Sequence, residues 1–299
     1  MLPFHTLDVF TTTPYAGNPL AVVLDAGGLT TAQMQTMAAE FNLSETIFVR
    51  PANDPAHTAE VRIFFPTAEI PFAGHPTIGC AILLAELAHG PGEWNSLITL
   101  EEQPGLVPVT VSRRNGVTTA ELTAPVIPHA APGTAPVPLL AAALGLADAD
   151  IGFGPHLPGI WAGGPAFVYV PVASLSALAR CRPTEPAWSA LVVQSANVGV
   201  YLYTPGDGAD FQARMFSPGA GIPEDPATGS ASAILAAQLH NAGVVGPGTT
   251  RLTLRQGVEM GRPSDIGLTV EADATGLTAV RIKGSAIRIS QGQITPPVA

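Results

Sequence analysis

The sequence predicts an α+β protein of two similar halves, each with a buried central helix enclosed by mixed or antiparallel strands. Three observations point there. Short alternating apolar segments outnumber helical ones, a segment of the first half recurs in the second, and two helices are apolar nearly all round.

In chain order, Phe4–Phe10 alternates as a strand, Thr11–Tyr15 turns, and Leu20–Leu24 is an aliphatic run that reads as a second strand. Thr30–Phe41 is a helix, with Thr30 or Thr31 as N-cap and Met34, Met37, Ala38 and Phe41 on one face. Glu45–Val49 and Val61–Phe65 are short strands, and a helix follows the loop Pro66–His75 to about Leu87. Strands near Leu97–Leu100, Leu106–Ser112 and Thr118–Thr123 end this portion. Ala124–Pro138, rich in Pro and Ala, is a crossing or linker segment, and Leu139–Leu146 a short helix. The pattern restarts with Gly159–Val170, a helix near Pro186–Val193, strands Val198–Tyr203 and Phe211–Phe216, and a helix over Thr228–Leu239. The tail Thr250–Ile289 holds several short strands. The division expected is 1–124, completed by the C-terminal strand 285–299, and 125–284.

Residues 62–83 and 214–235 agree at nine of 22 positions without a gap, at an offset of 152. Arg62/Arg214, Phe64/Phe216, Pro66/Pro218, Ile70/Ile222, Pro71/Pro223 and the run Ala81–Leu83/Ala233–Leu235 are among them. Each unit reads strand, Pro/Gly loop, helix. A helix without a polar face is buried on every side, so each belongs inside its half. That placement aims both loops and both helix N-termini at a common opening. Unpaired N–H groups and the positive end of the dipole there suit an anion, and suit negative charge developing beside a carboxylate. The alternative is that Gly and Pro merely make tight turns.

Composition removes other classes. The net charge of −10 leaves no basic stripe for nucleic acid or an anionic membrane. Cys80 and Cys181 cannot make a disulfide framework, and no Cys/His pair has metal-ligand spacing. The N-terminus lacks a signal-peptide pattern and the longest apolar stretch, around Ile78–Ala88, is too short to span a bilayer. A cytoplasmic protein is the expectation.

Differences between the repeats mark residues that duplication did not require for folding. Glu45, at the head of an apolar strand, faces Asn197 at the same offset; His75 and Asp225 face Ala227 and Ala73. A buried Glu45 is a candidate acid/base, against the alternative of a solvated strand-end carboxylate. His75, between Gly74 and Pro76, is a candidate donor or proton carrier, or a neutral histidine capping its own loop. Asp225 is a candidate acid/base or orienting group, or an ordinary helix-entry carboxylate. Ser230, beside Gly229, offers a hydroxyl and an N–H to an anion, or is a first-turn serine. Phe48, Phe72, Tyr15 and Trp161 are candidate pocket walls.

The chain resembles the phenazine-biosynthesis isomerase (PhzF-like) family of the diaminopimelate-epimerase-like fold over nearly its whole length. The marks are Asp8-Val9-Phe10 with Gly17-Asn18-Pro19, Ser44-Glu45-Thr46, Pro71-Phe72-Ala73-Gly74-His75-Pro76-Thr77 and Glu224-Asp225-Pro226-Ala227-Thr228-Gly229-Ser230-Ala231. The resemblance implies two pseudo-symmetric halves, each a barrel-like mixed sheet around a central buried helix, a homodimer, and no cofactor. It implies Glu45 as the proton-shuttling acid/base with His75 and Asp225 as catalytic partners. Gly74, Gly229, Ser230, Ser44 and Asn18 become substrate-binding residues. The related epimerases carry a cysteine in each helix-entry loop; here Ala73-Gly74-His75 and Asp225-Pro226-Ala227 hold none. The expected function is therefore proton relocation on a small carboxylate-bearing substrate by one carboxylate. The rivals are an amino-acid epimerase or racemase and a non-catalytic ligand-binding protein.

Overall fold

A computed structural model describes residues 1–196 and 199–298. The chain divides into two compact units, Met1–Thr123 with Lys283–Ala299, and Ala124–Ile282. The first holds β1 (Leu2–Val9), β2 (Asn18–Val23), α1 (Thr31–Phe41), β3 (Glu45–Arg50), β4 (Ala59–Phe64), β5 (Glu69–Ile70), α2 (Gly74–His89), β6 (Trp94–Glu102), β7 (Gly105–Arg114) and β8 (Val117–Thr123). The second holds β9 (His129–Ala130), α3 (Val137–Leu144), β10 (Gly159–Ala162), β11 (Ala166–Pro171), α4 (Leu175–Arg180), α5 (Ala187–Ser195), β12 (Val200–Pro205), β13 (Phe211–Ser217), β14 (Ile222–Asp225), α6 (Gly229–Asn241), β15 (Gly248–Gln256) and β16 (Ser264–Asp273). The last strand, β17 (Gly276–Ile294), starts in the second unit and ends in the first.

The fold is α+β, each half a barrel-like mixed sheet around a central buried helix. In the first unit β1 lies antiparallel between β17 and β2, β2 runs parallel to β3, β3 antiparallel to β4, and β4 parallel to β6. The meander β6–β7–β8 then returns to β17, closing eight strands. The second unit repeats the pattern. β10–β11 is antiparallel, β11–β12 parallel, β12–β13 antiparallel, β13–β15 parallel and β15–β16 antiparallel.

Apolarity all round puts α2 and α6 inside. Every residue of α2 from Gly74 to Leu83 is buried, against β1, β2, β3, β6, β7 and β8. In α6 all of Ala231–Leu239 is buried, against β9, β10, β11 and β16. Polar contacts of α2 fall at its two ends: His75 and Thr77 in the first turns, and Glu86 in the last, which contacts Arg113 at 3.1 Å. Amphipathic helices cover the outside. Met34, Met37 and Ala38 of α1 pack on Val23, Phe48 and Phe64, and α3, α4 and α5 bring Leu140, Leu144, Leu178 and Leu191 onto Val168, Val170 and Leu202. Each such large side chain contributes about 1.5–3 kcal/mol by leaving water.

Several expectations need correction. The restart at Gly159–Val170 resolves into β10 and β11, because the chain reverses through Gly164 at φ +107°. The tail is three long strands, since alternation continues through Gly267 and Gly284 without a break. The segment Ala124–Pro138 contributes β9, which pairs with β10. Helix α4, held by the Ser174 N-cap, has no periodic signal in the sequence because it is only six residues long. Asn197 and Val198, the first residues relevant to the strand expected at Val198–Tyr203, lie outside the described residues.

Candidate active site

The candidate side chains sit at strand ends and at the entries of the central helices. On the outer helix α1, Thr30 accepts from Gln33 N and the Gln33 side chain reaches back to Thr30 N, a complete capping box. The central helices differ. The N-caps of α2 and α6, Ala73 and Thr228, make no side-chain bond to the first turn. Their opening N–H groups, beginning at Gly74 and Gly229, are uncapped by side chains and suit an anion.

In the first unit, Glu45 opens β3 and is buried at 6% exposure. Its Oε2 lies 3.0 Å from Nδ1 of His75, in the first turn of α2. The same His75 Nδ1 lies 3.5 Å from Nδ2 of Asn18, the first residue of β2. Asn18 is placed by a tight turn: Gly17 has φ +70°, and a side chain there would strike Val9 O and Thr11. Asp8 braces the same loop by accepting from Tyr15 N at 2.7 Å. The Glu45–His75 contact lacks hydrogen-bond angles, so Oε2 of Glu45 is a buried acceptor with no hydrogen bond. A buried polar atom left in that state is costly and marks a place to look for chemistry. Glu45, His75, Asn18 and Gly74 are thus brought together, and the solvated reading of Glu45 falls. Ser44 neighbours Glu45 in the chain and is half-buried.

In the second unit, Asp225 ends β14 at 4% exposure and accepts from Thr228 Oγ1 at 2.6 Å. Gln256, at the end of β15, donates from Nε2 to Asp225 O at 2.7 Å and Thr228 Oγ1 at 3.0 Å. Its Oε1 accepts from Thr228 N at 3.2 Å. Gly229 and the half-buried Ser230 begin α6 immediately after. Thr228 belongs to the Glu224–Ala231 motif but carried no role of its own there, and Gln256 had no signal in the sequence. Gln256 sits 31 residues from Asp225, with no motif to connect them.

Ladder register corrects one pairing of the repeats. Phe48 pairs with Arg62 as Leu202 pairs with Arg214, and Arg62 matches Arg214. Three residues before Phe48 and Leu202 stand Glu45 and Gly199. The counterpart of Glu45 is therefore Gly199, two residues on from Asn197, because the connection into the strand differs in length. A Cβ on Gly199 would lie 2.6 Å from Cδ1 of Phe167, whose ring fills that space. Among the wall candidates, Phe48 is core beneath α1, and Trp161 donates from Nε1 to Gln238 Oε1 at 2.5 Å.

Both thiols are buried and uncharged. Burial pushes Cys80 upward, reinforced by the Glu102 carboxyl, and pushes Cys181 to about 12. Among the described residues, no group of three or more His, Cys, Asp or Glu is arranged to hold a metal ion, and no helix is long and apolar enough to cross a membrane.

Residues 7–292 match the family described as phenazine biosynthesis-like protein. The chain belongs to this family. It is 43% identical to an uncharacterized isomerase of Mesorhizobium japonicum, over 96% of each chain. It is 38% identical to the trans-2,3-dihydro-3-hydroxyanthranilate isomerase of Pseudomonas chlororaphis, over 96% of this chain and 97% of that one. The PhzF-family protein of Bacillus anthracis, 25% identical, superposes with a TM-score of 0.87 over 98% of this chain and 99% of its own. A probable proline racemase of Agrobacterium radiobacter shares the fold, with a TM-score of 0.64 at 15% identity over 99% and 93% of the two chains. The protein is an isomerase of the PhzF family.

Proposed function

We propose that this PhzF-family isomerase relocates a proton on a small carboxylate-bearing substrate without a cofactor, with Glu45 as the single acid/base. The observation that carries the reading is Glu45 Oε2, buried without a hydrogen bond and 3.0 Å from His75 Nδ1. Glu45 removes a proton from a carbon activated by unsaturation beside the carboxylate. The electron pair shifts along the conjugated system, and the Glu45 carboxyl returns the proton at a second carbon. No oxidant or reductant is consumed. His75 orients Glu45; the proposed donors to a substrate carboxylate and to developing charge are the N–H group at Gly74 with Ser44 and Asn18 in the first unit, and the N–H group at Gly229 with Ser230 in the second. Asp225, fixed by Thr228, orients the substrate's polar group. The name of the Pseudomonas chlororaphis relative supports a dihydro-hydroxyanthranilate-like ring acid as the first substrate to test.

The buried, raised thiols support proton relocation over a two-cysteine racemase. The experiment is turnover in deuterated water by wild type and Glu45→Gln. Wild type incorporates deuterium at the new C–H position and Glu45→Gln does not; equal incorporation by both sinks the role of Glu45. A cytoplasmic homodimer completes the proposal, and light scattering at assay concentration tests the dimer.

A further inference from the structure

The inner end of β6 carries a carboxyl that the mechanism above does not use. Glu102 is buried, and its Oε1 lies 2.7 Å from Thr77 Oγ1. Thr77 Oγ1 also lies 2.7 Å from Ala73 O, the carbonyl just ahead of Gly74 and His75. A hydroxyl has one hydrogen, and a carbonyl oxygen only accepts. Thr77 therefore donates to Ala73 O. The contact with Glu102 is then a hydrogen bond only when Glu102 supplies the second proton. An ionised Glu102 would leave two acceptors competing for one hydrogen inside the protein.

We propose that Glu102 is kept as a neutral carboxylic acid and acts as a positioning residue: its O–H anchors, through Thr77 and the Ala73 carbonyl, the turn that presents Gly74 and His75.

The second unit supports this independently. Ala59 and Glu60 pair with Leu100 and Glu101 as Phe211 and Gln212 pair with Leu254 and Arg255. The next residue in each strand is Glu102 and Gln256. Gln256, which is never charged, donates from Nε2 to Thr228 Oγ1 at 3.0 Å at the entry of α6. The two strand ends thus deliver the same thing, one neutral donor to one threonine hydroxyl. Burial pushes the Glu102 carboxyl up to about 8. Oε2 of Glu102 has no hydrogen-bond partner, which costs less for the carbonyl oxygen of an acid than for a carboxylate.

The charged neighbours do not supply a counter-ion. From α2 comes Cys80, whose thiol Glu102 pushes further up. From β4 comes Glu60, taken by Arg50 at 2.6 Å. On β6 itself Glu101 is engaged with His57 at 2.7 Å, and from β7 the residue paired with Glu102 is Gly105.

Infrared difference spectroscopy on the substrate-free protein, wild type against Glu102→Gln, tests the protonation without any assay. A protonated-carboxyl C=O band is expected in wild type at neutral pH, absent from Glu102→Gln and lost as pH rises through about 8. No band difference at neutral pH overturns the assignment. Stability gives a second reading. With the folded value raised from 4.5 to about 8, wild type loses stability relative to Glu102→Gln as pH rises between those values, and the gap is flat above. A gap that stays flat from pH 4.5 to about 8 overturns it equally.

The positioning half rests on the proposed function, and kinetics test it. Glu102→Gln keeps kcat within about threefold of wild type and loses the alkaline fall near pH 8, whereas Thr77→Val lowers kcat roughly tenfold. An unchanged alkaline limb in Glu102→Gln, or full activity in Thr77→Val, overturns the positioning role. Absence of isomerase turnover in wild type would instead defeat the proposed function and leave the infrared result standing.

Discussion

The two units share strand order, pairing sense and a buried helix, yet differ at the head of one strand. In the first unit Leu20 pairs with Glu45, and Leu20 Cδ2 sits where a side chain on Gly79 of α2 would go. In the second the equivalent pair is Phe167 and Gly199, and the phenyl ring occupies the volume a carboxylate would need. One unit keeps room for an acid/base, and the other fills it with carbon. The same contrast recurs at the helix entries: counted from Gly74 and Gly229, the first residues of α2 and α6, His75 stands against Ser230 and Ala73 against Thr228. The repeat preserves what builds the barrels, and Glu45 and His75 are among its breaks.

Removing the asymmetry from its functional side gives the largest expected effect. Glu45→Gln keeps the volume and removes the base, so kcat falls on the order of 10²–10⁴-fold, the range of general acid/base contributions. His75→Phe, which takes away the group 3.0 Å from Glu45, lowers kcat roughly 10²-fold with a smaller change in KM. Steady-state kinetics on the proposed ring acid measure both. If Glu45→Gln retains wild-type turnover, the contrast with Gly199 has no catalytic meaning.

The next effect tests the polar frame of the second unit. Gln256→Leu strips partners from Thr228 N and Asp225 O, both bonded to it at 3.2 and 2.7 Å. Unmet buried groups cost about 1–3 kcal/mol each, so a stability loss of that order is expected in urea melts. Gly199→Ala probes the filled volume itself. Its Cβ would meet Phe167 Cδ1 at 2.6 Å, an overpacking worth about 1–3 kcal/mol. Combined with Phe167→Leu, the cost of Gly199→Ala shrinks, because the ring that opposes it is gone. Additive behaviour would show that Phe167 is not what excludes a side chain.

The fold was legible because it rests on patterns that survive in one sequence. Periodicity marked the strands, and apolarity all round marked α2 and α6 as interior. Glu45, His75 and Asp225 were legible as departures from the repeat. Gln256 and Glu102 were not. Each lies at the last position of its strand, and each gains meaning only when the barrel brings it to a helix entry 25 to 31 residues away. The ungapped comparison likewise set Glu45 against Asn197, since only ladder register exposes the slip to Gly199.

The smallest effect separates helices held by their own caps from helices left open. Thr30→Ala removes the side chain that accepts from Gln33 N, at a cost of about 1 kcal/mol, with kcat and KM unchanged. Ala73 has the extended backbone of an N-cap, φ −150° and ψ 138°, but a side chain that cannot accept. Ala73→Ser supplies the missing acceptor and stabilises α2 by a similar amount. It does so by occupying the N–H groups assigned to the substrate carboxylate, so KM rises several-fold while stability increases. Thr30 and Ala73 thus occupy the same structural position with opposite consequences: a cap on α1 costs nothing in binding, and a cap on α2 competes with the ligand. A stabilised Ala73→Ser with unchanged KM would mean that the entry of α2 does not hold the anion, and would move that task to Gly229 and Ser230 alone.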